Sequence, residues 1–161
     1  MAYGEISESC QVASVCEPAV DTISRARRSD NMRRIRARDT KPELIARSIA
    51  HCLGCRFRLH GAWQGGTLPG KPDMVFAARR KVIFVHGCFW HMHGCDNVRI
   101  PKSNQSYWRT KLRGNQKRGL KHLAALKAEG WKVLVVWECE IEGARAKTEA
   151  RIKRFLLGAR T

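Results

Sequence analysis

The chain has 161 residues, of which 43% are hydrophobic, and this length predicts one domain with a substantial core. Lys and Arg number 31 against 14 acidic residues, so the formal net charge is +17 and a polyanionic partner is expected. Nucleic acid is favoured over acidic membrane, because no apolar run approaches the roughly 18 residues that a spanning helix needs and no single helix carries the charge.

The N-terminal segment, residues 1–22, is small and polar without a clear period, and it is predicted to be a disordered extension. It has neither the basic start nor the apolar stretch of a secretory signal. The seven cysteines of the chain are therefore expected to be reduced thiols or metal ligands.

Residues 23–161 are expected to form a single domain, which begins with a strongly basic arm over residues 23–40. Met32 and Ile35 share one side of this arm. The arm is interpreted either as a solvated helix or as a segment that places Arg on DNA phosphates with its two apolar side chains as wedges. The charge favours the second interpretation.

A helix is predicted over residues 40–53. Thr40-Lys-Pro-Glu43 has the pattern of a capping box with Pro in the first turn, and Gly54 is expected to end the helix. Glu43 has a sufficient structural role as the N3 residue of this cap. Because Cys52 falls on the predicted inner stripe, the C-x-x-C pair that it begins is interpreted as structural rather than as a zinc or redox site. The inner stripe consists of Leu44, Ile45, Ile49, Cys52 and Leu53.

Two short strands, Met74–Ala77 and Lys81–Val85, are separated by a basic turn and predict an antiparallel hairpin. Pro72 favours extended backbone geometry at the preceding residue, and it places Asp73 at the start of the first strand. Asp73 and His86 are then expected at the same edge of the sheet. An aspartate in such a place is often only a turn former, but a nearby loop of histidines favours a ligand of a divalent metal.

The most informative stretch, Val82–Cys95, begins as a buried β-branched strand and then turns at Gly87 into a segment crowded with sulfur, imidazole and aromatic groups. Its spacing predicts a structural zinc site of three cysteines and one histidine, and the alternative is a set of buried free thiols. On spacing alone, His91 remains an alternative to His93 as the histidine ligand. The predicted ligands are Cys88, His93, Cys95 and Cys139.

If zinc takes that set, His86 and His91 are left without a ligand role beside Asp73. A carboxylate that holds Mg²⁺ and an imidazole that takes a proton from water are sufficient for phosphodiester hydrolysis. Phe89 and Trp90 lie on the same loop, and they are interpreted either as rings that push between base pairs or as core residues.

The C-terminal half predicts a long helix over residues 103–129, ended by Gly130 and exposing a basic surface. Trp131–Trp137 has the strongest strand pattern and is expected to be central and buried, and a last helix covers residues 147–157. The element order α-β-β-α-β-α predicts an α/β fold with a mixed sheet flanked by helices. Predicted inward positions are Leu112, Leu120, Leu123 and Leu126 in the long helix, and Ile152, Phe155 and Leu156 in the last one.

Six motifs resemble, in order, those of the very-short-patch mismatch repair endonucleases, and the resemblance covers about residues 24–140. It implies a fold like that of the type II restriction endonucleases, with a mixed central sheet, flanking helices and a structural zinc site. It further implies Mg²⁺-dependent nicking on the 5′ side of the T in T:G mismatches, which arise when 5-methylcytosine deaminates. The motifs are Asn31-Met-Arg-x-Ile35, Thr40-Lys-Pro-Glu43, Leu68-Pro-Gly-Lys-Pro-Asp73, Ile83-Phe-Val-His-Gly-Cys-Phe-Trp-His-x-His-x-Cys95, Gly130-Trp131 and Val136-Trp-Glu-Cys139.

Carried onto this sequence, the resemblance implies that Asp73 is the main Mg²⁺ ligand, helped by the backbone carbonyl of Val85. It implies that His91 is the general base, supported by His86 and Glu43. It implies the same four zinc ligands as the spacing. The implied DNA contacts are Phe89, Trp90 and Trp108 as wedges from the major groove, Met32 and Ile35 at the minor groove, and Lys111 and Asn115 at the mismatch and neighbouring bases.

The resemblance also implies partners. These are double-stranded DNA with a T:G mismatch, a cytosine-5 DNA methyltransferase as a functional companion, and the downstream proteins of very short patch repair. No membrane association is expected. A monomer that acts at the nucleoid in the bacterial cytoplasm is implied.

One position departs from the family pattern. The family commonly has Arg-Asp in the long helix, whereas this chain has Arg118-Gly119. If that aspartate helps to orient metal-bound water, its loss weakens catalysis, and the glycine costs the helix roughly 1 kcal/mol relative to Ala. Two alternatives stand beside the mismatch nickase, the first motivated by Gly119 and the second allowed by the shared fold. They are a zinc-stabilised mismatch-binding protein with weak or no nuclease activity, and a restriction-type nuclease that acts on paired DNA.

Overall fold

The computed structural model describes residues 24, 26, 27, 30, 38–96, 98–102 and 104–158. The predicted N-terminal extension and the arm residues Met32 and Ile35 lie outside this part of the chain. Within it, no helix is both long and apolar enough to cross a membrane. The helices that position the site are α1 (Lys41–Cys52), α2 (Cys88–His91), α3 (Gln105–Ala128), α4 (Glu138–Gly143) and α5 (Arg145–Leu157). The strands are β1 (Arg58–Leu59), β2 (Ala62–Trp63), β3 (Gly66–Thr67), β4 (Met74–Phe76), β5 (Lys81–His86) and β6 (Lys132–Trp137).

The central sheet has four strands in the order β1-β4-β5-β6. Strand β4 pairs antiparallel with both β1 and β5, whereas β5 and β6 run parallel, with Lys81 opposite Lys132 and His86 opposite Trp137. The predicted α/β class with a mixed sheet is confirmed, and so is the antiparallel hairpin of β4 and β5. Strands β2 and β3 form a separate small hairpin that the sequence analysis did not predict.

Both faces of the sheet are covered, because successive side chains of a strand point to opposite sides. In β5, Ile83 faces a cluster formed with α1, α4 and α5, while its neighbours Val82 and Phe84 face a second cluster formed with α3 and the β2 hairpin. Three layers result, with the sheet in the middle. Helix α3 packs on the second face through Leu123 and Leu126, and part of its remaining surface lines a cleft.

Strand β6 is at an edge of the described sheet, so the prediction of a central strand is wrong. Its continuous apolar pattern arises because helices cover both of its faces. A sequence does not distinguish this burial of both faces from pairing on both edges. The open edge is partly covered by Arg151, whose Nη2 donates to the Val135 carbonyl at 2.6 Å. The guanidinium of Arg151 is itself held by Glu140.

Helix α1 begins and ends near the predicted residues, but its start is built differently. The Thr40 hydroxyl makes no capping bond to the backbone and instead donates to Glu43 Oε1 at 2.9 Å, so the predicted capping box is wrong. Gly54 ends the helix as predicted, with φ +68° and a hydrogen bond from its N–H to the His51 carbonyl.

The inner face of α1 also differs from the predicted stripe. Ala46, Ile49 and Ala50 are buried against the sheet, whereas Leu44 is 50% exposed and Cys52 is exposed. Small side chains let the helix lie close to the sheet, so the face that carries the two alanines is buried and the face that carries Leu44 is not. The buried thiol of the C-x-x-C pair is Cys55, so the assignment of Cys52 to the core is wrong.

In α3, Leu112 and Leu126 are buried as predicted, but Leu120 is 63% exposed and its predicted inward position is wrong. Leu120 instead borders a smaller apolar pocket that Val135 and Trp137 also line. Helix α5 begins two residues earlier than predicted and buries Ile152 and Leu156, with Phe155 packed against the same cluster.

Candidate active site and metal centre

A cleft of about 380 Å³ lies where the carboxyl end of β5 meets the first turn of α1 and the exposed side of α3. The predicted catalytic residues all line this cleft, so the structure brings them together although they are distant in the sequence. These lining residues are Glu43, Asp73, Val85, His86 and His91. Other lining residues come from the loop before β4 and from α3.

Asp73 immediately precedes β4, and the hairpin places it beside the end of β5. The Val85 N–H donates to Asp73 Oδ2 at 2.8 Å, which fixes the carboxylate at the floor of the cleft. Burial raises the pKa of Asp73 to about 6, and the nearby Glu43 adds to this rise while the Val85 N–H opposes it. A carboxylate whose ionised form is disfavoured in this way is one that a bound cation would stabilise.

Glu43 is only 8% exposed and receives several hydrogen bonds. Its Oε2 accepts the Asp39 N–H at 2.9 Å and Arg47 Nη2 at 3.0 Å, while its Oε1 accepts the Thr40 hydroxyl. Arg47 also forms an ion pair with Asp39. Sequence analysis missed Arg47, although its position four residues after Glu43 is the spacing at which helical residues pair.

His86 and His91 stack on each other in the cleft, with ring centroids 3.7 Å apart and an interplanar angle of 4°. Burial, followed by the charge of His91, lowers the pKa of His86 to about 3. Burial also lowers the pKa of His91. Both imidazoles are therefore neutral near pH 7, and a neutral imidazole is the form that accepts a proton.

The four predicted zinc ligands, which come from α2, the following loop and the first turn of α4, converge beside this cleft. Their ligand atoms all lie within 4.8 Å of one another. His93 Nε2 lies 3.3 Å from Cys88 Sγ and 3.2 Å from Cys139 Sγ. In a tetrahedral zinc site, such ligand pairs are separated by about 3.5–3.8 Å, so three thiols and one imidazole fit a metal of this kind. The fourth member of the group is Cys95.

The electrostatics of this group also fit a metal. Burial raises the pKa of Cys88 to about 12, with Cys139 and Cys95 adding to the rise, and burial likewise raises the pKa of Cys139. A cation would reverse these shifts, because it stabilises thiolates directly. His93, rather than His91, belongs to this group, and its ring stacks on Trp137 at 4.2 Å.

The predicted wedge aromatics form one partly exposed cluster where α2 contacts the start of α3. Phe89 lies 5.0 Å from Trp90 and 5.5 Å from Trp108, measured between ring centroids. Lys111 Nζ lies 5.8 Å from the centroid of Trp90 and 5.7 Å from that of Trp108. Tyr107 joins this cluster, is 48% exposed, and was missed by the sequence analysis.

Asn115 lies apart from the aromatic cluster, on the wall of the cleft that α3 provides. Arg118 Nη2 donates to Asn115 Oδ1. Lys71 and His122 also border the cleft, and none of these three basic side chains was predicted as a site residue. Asn115, Arg118, Gly119 and His122 have the spacing of one helix face in α3, but only the packing of α3 against the sheet decides that this face borders the cleft.

Gly119 faces His91. A Cβ atom at this position would lie 3.8 Å from His91 Nδ1, which is ordinary van der Waals contact. The site therefore has room for a side chain here.

The comparisons with known proteins agree on one family. The family model described as DNA mismatch endonuclease Vsr matches residues 20–97. The chain is 48% identical to the type II nicking enzyme V.XorIIP of Xanthomonas oryzae pv. oryzae over 136 residues, which cover 84% of this chain and 96% of that protein. It is 40% identical to the DNA mismatch endonuclease Vsr of Escherichia coli (strain K12), covering 84% of this chain and 85% of that protein.

A structural similarity was also found with the catalytic domain of the homing endonuclease I-Bth0305I. The TM-score is 0.48 and the identity is 18%, with 74% of this chain and 96% of that domain covered.

Proposed function

The chain belongs to the Vsr DNA mismatch endonuclease family and is a DNA endonuclease, and from this we propose that it nicks double-stranded DNA on the 5′ side of the T in a T:G mismatch. The mismatch is the one left when 5-methylcytosine deaminates, and the nick begins very short patch repair. The expected functional companion is a cytosine-5 DNA methyltransferase, followed by downstream repair proteins, and the enzyme acts as a monomer.

The observation that carries this proposal is the meeting of Asp73 with the stacked His86 and His91 in one cleft. Asp73, with the backbone carbonyl of Val85, holds Mg²⁺. When bound, Mg²⁺ polarises the scissile phosphate and neutralises charge that develops on it. The hydrogen bond from the Val85 N–H keeps the Asp73 carboxylate in one orientation for this role.

His91 accepts the proton of the attacking water as the water oxygen bonds to phosphorus and a P–O bond of the backbone breaks. Its neutral state, favoured by burial, makes it competent as a base near pH 7. His86 packs flat against His91 and limits the rotation of that ring. Glu43, held by Arg47 and Thr40, supports the site from α1.

Zinc is proposed as the structural metal held by Cys88, His93, Cys95 and Cys139. This ligand set leaves no open position, so the metal holds the loop that carries His91 and the wedge aromatics in place. Phe89, Trp90 and Trp108 enter the DNA from the major groove, and Met32 and Ile35 contact its minor groove. Lys111 and Asn115 contact the mismatched and neighbouring bases.

The test is a nicking assay on one end-labelled duplex that carries either T:G or T:A at a single site. We expect a single Mg²⁺-dependent cut 5′ of the mismatched T, which is absent with T:A and with Asp73→Ala. Equal cutting of T:A would instead identify a restriction-type nuclease that acts on paired DNA. Specific T:G binding without a cut in any divalent metal would contradict the proposed catalysis.

The second candidate is a zinc-stabilised mismatch-binding protein with weak or no nuclease activity. Gly119 favours it, because glycine offers no side chain to the nearby Nδ1 of His91. The two candidates differ in the effect of His91→Ala. The nickase loses its cutting in this variant and keeps T:G binding, whereas the binding protein loses nothing that can be measured.

A further inference from the structure

Lys71, in the loop before β4, has a backbone conformation that its residue type disfavours, and the prediction of extended geometry before Pro72 is wrong. Its φ is +51°, in the left-handed region where a residue with a Cβ atom is strained by roughly 1 kcal/mol or more. Glycine would adopt this conformation without strain, and the preceding Gly70 does so with φ +74°. A lysine therefore occupies a position that backbone energetics would give to glycine.

The surrounding loop holds Lys71 in this conformation. Its N–H donates to the Leu68 carbonyl at 3.0 Å, closing a tight turn. A Cβ atom at Gly61 would lie 2.8 Å from Lys71 Cα, so only glycine lets the two backbone segments approach so closely. On the other side, a Cβ atom at Gly70 would lie 2.9 Å from His122 Cβ, and the loop thus packs directly on α3.

The consequence of this packing is the position of a positive charge. Lys71 borders the same cleft as Asp73, Glu43 and Arg118. The sign of φ decides the side of the backbone from which a side chain leaves, so the strained conformation determines which space the side chain occupies. The cleft therefore combines carboxylates with cationic side chains.

We propose that Lys71 is a phosphate-binding residue of this cleft, whose ammonium contacts a non-bridging oxygen of the DNA backbone while Asp73 holds the cation. This inference rests on the proposed function for the identity of the cleft as the nicking site. Strained residues concentrate at functional sites, because selection for a charge in one place offsets the cost of the backbone conformation.

The decisive variant is Lys71→Gly, which removes the ammonium and also relieves the backbone strain. Because glycine suits φ +51°, we expect a melting temperature equal to or above that of the wild type, together with a loss of phosphate contact. Lys71→Asn provides a second neutral variant with a side chain that tolerates the left-handed region. Lys71→Arg keeps both the charge and the strain.

Two controls separate strain from charge. Gln64 lies in the turn between β2 and β3, is exposed, and has φ +43°, so Gln64→Gly relieves strain of the same kind away from the cleft. Lys153→Ala removes an exposed lysine from α5, which covers the opposite face of the sheet from α3. Neither control should change DNA affinity at the cleft or nicking.

The first measurement is the salt dependence of binding to a T:G duplex, made with zinc-loaded protein in an Asp73→Asn background so that the DNA stays intact. Each phosphate contact contributes about 0.9 to the slope of log affinity against log salt concentration. We expect Lys71→Gly and Lys71→Asn to lower the slope by about this amount, and Lys71→Arg to keep it. An unchanged slope in both neutral variants would overturn the proposal.

The second measurement is kcat/KM for nicking, without the Asp73 substitution. We expect Lys71→Gly to lower it about 10- to 100-fold at unchanged or higher melting temperature, as the loss of a charged hydrogen bond implies. A fall in melting temperature for both neutral variants would also overturn the proposal, because Lys71 would then be structural. If the wild type does not nick T:G, the proposed function fails, and the salt slopes still decide the role of Lys71.

Discussion

The imidazole rings of His86 and His91 lie parallel, with their centroids 3.7 Å apart. Two positive charges at this separation repel each other strongly, so the pair cannot carry two protons near neutral pH. The histidines come from the end of β5 and from the end of α2, and the short turn at Gly87 allows the chain to double back and stack them. The stack supplies a neutral base beside a buried carboxylate.

The space between Gly119 and this stack leads to a prediction about activity. Gly119→Asp places a carboxylate near His91 Nδ1 without a clash, and a carboxylate there orients the ring and stabilises its protonated form. We expect nicking of T:G duplexes to become about tenfold faster. Single-turnover nicking rates at saturating protein are the measurement.

Gly119→Ala is the matched control for the aspartate variant. Both substitutions replace a helical glycine, and Ala gains about 1 kcal/mol of stability from helix propensity. The alanine variant should therefore melt at a higher temperature and nick at the rate of the wild type. An equal rate increase in both variants would assign the effect to helix stability and contradict the role of the carboxylate.

Burial of Asp73 predicts a pH-dependent cost to stability in the absence of Mg²⁺. Its pKa, raised to about 6, lies above the ordinary value of 3.8 for aspartate, so the folded protein retains a proton that the unfolded chain has released. The stability from this group is fully present below the unfolded pKa and is lost as pH rises through about 6. We expect Asp73→Asn to raise the free energy of unfolding by about 2 kcal/mol at pH 7.5 and by almost nothing near pH 3.

Chemical denaturation at both pH values, without Mg²⁺, measures this effect. Asp39→Asn is the control, because the hydrogen bond from Arg47 lowers the pKa of that exposed carboxyl, and its removal should give no gain. A destabilised Asp73→Asn protein at pH 7.5 would mean that the hydrogen bond from the Val85 N–H outweighs the cost of burying the charge.

The cysteine and histidine group predicts a tightly bound metal. We expect about one zinc ion per chain in the wild type by elemental analysis. Cys139→Ser should lower zinc affinity at least 100-fold, because loss of a ligand costs more affinity than the 10- to 100-fold lost with a residue that only hydrogen-bonds to a ligand. Cys52→Ser changes an exposed cysteine outside the group and should keep both the zinc and the melting temperature. Retention of zinc by Cys139→Ser would exclude Cys139 as a ligand.

The aromatic cluster predicts how the DNA is opened. Trp90→Ala should lower affinity for a T:G duplex by about 10- to 100-fold, since one stacked base is worth about 1–3 kcal/mol. In the Trp90→Ala variant, the increase in fluorescence of 2-aminopurine placed beside the mismatch should disappear. Leu44→Ala, a change of an exposed apolar residue on α1, serves as the control. A full fluorescence response from Trp90→Ala would assign the wedge to Phe89 or Trp108.

The sequence by itself determined the features that depend on short spacing. The hairpin of β4 and β5 follows from two β-branched runs around a turn, and it places Asp73 beside the end of the next strand. The end of α1 follows from Gly54, which adopts the left-handed conformation that the motif requires. The large positive charge indicates a DNA partner, and the cysteines and histidines of Val82–Cys95 indicate a metal site.

Only the tertiary structure decided what depends on which surfaces face each other. It placed β6 at an edge, because apolar runs record the burial of faces and not the number of paired neighbours. It joined Arg47 to Glu43, and it turned one side of α3 toward the cleft, which brought Arg118 into the same cleft as Asp73. It also showed the strain at Lys71, since a backbone angle is set by the contacts of both flanking segments and leaves no trace in residue spacing.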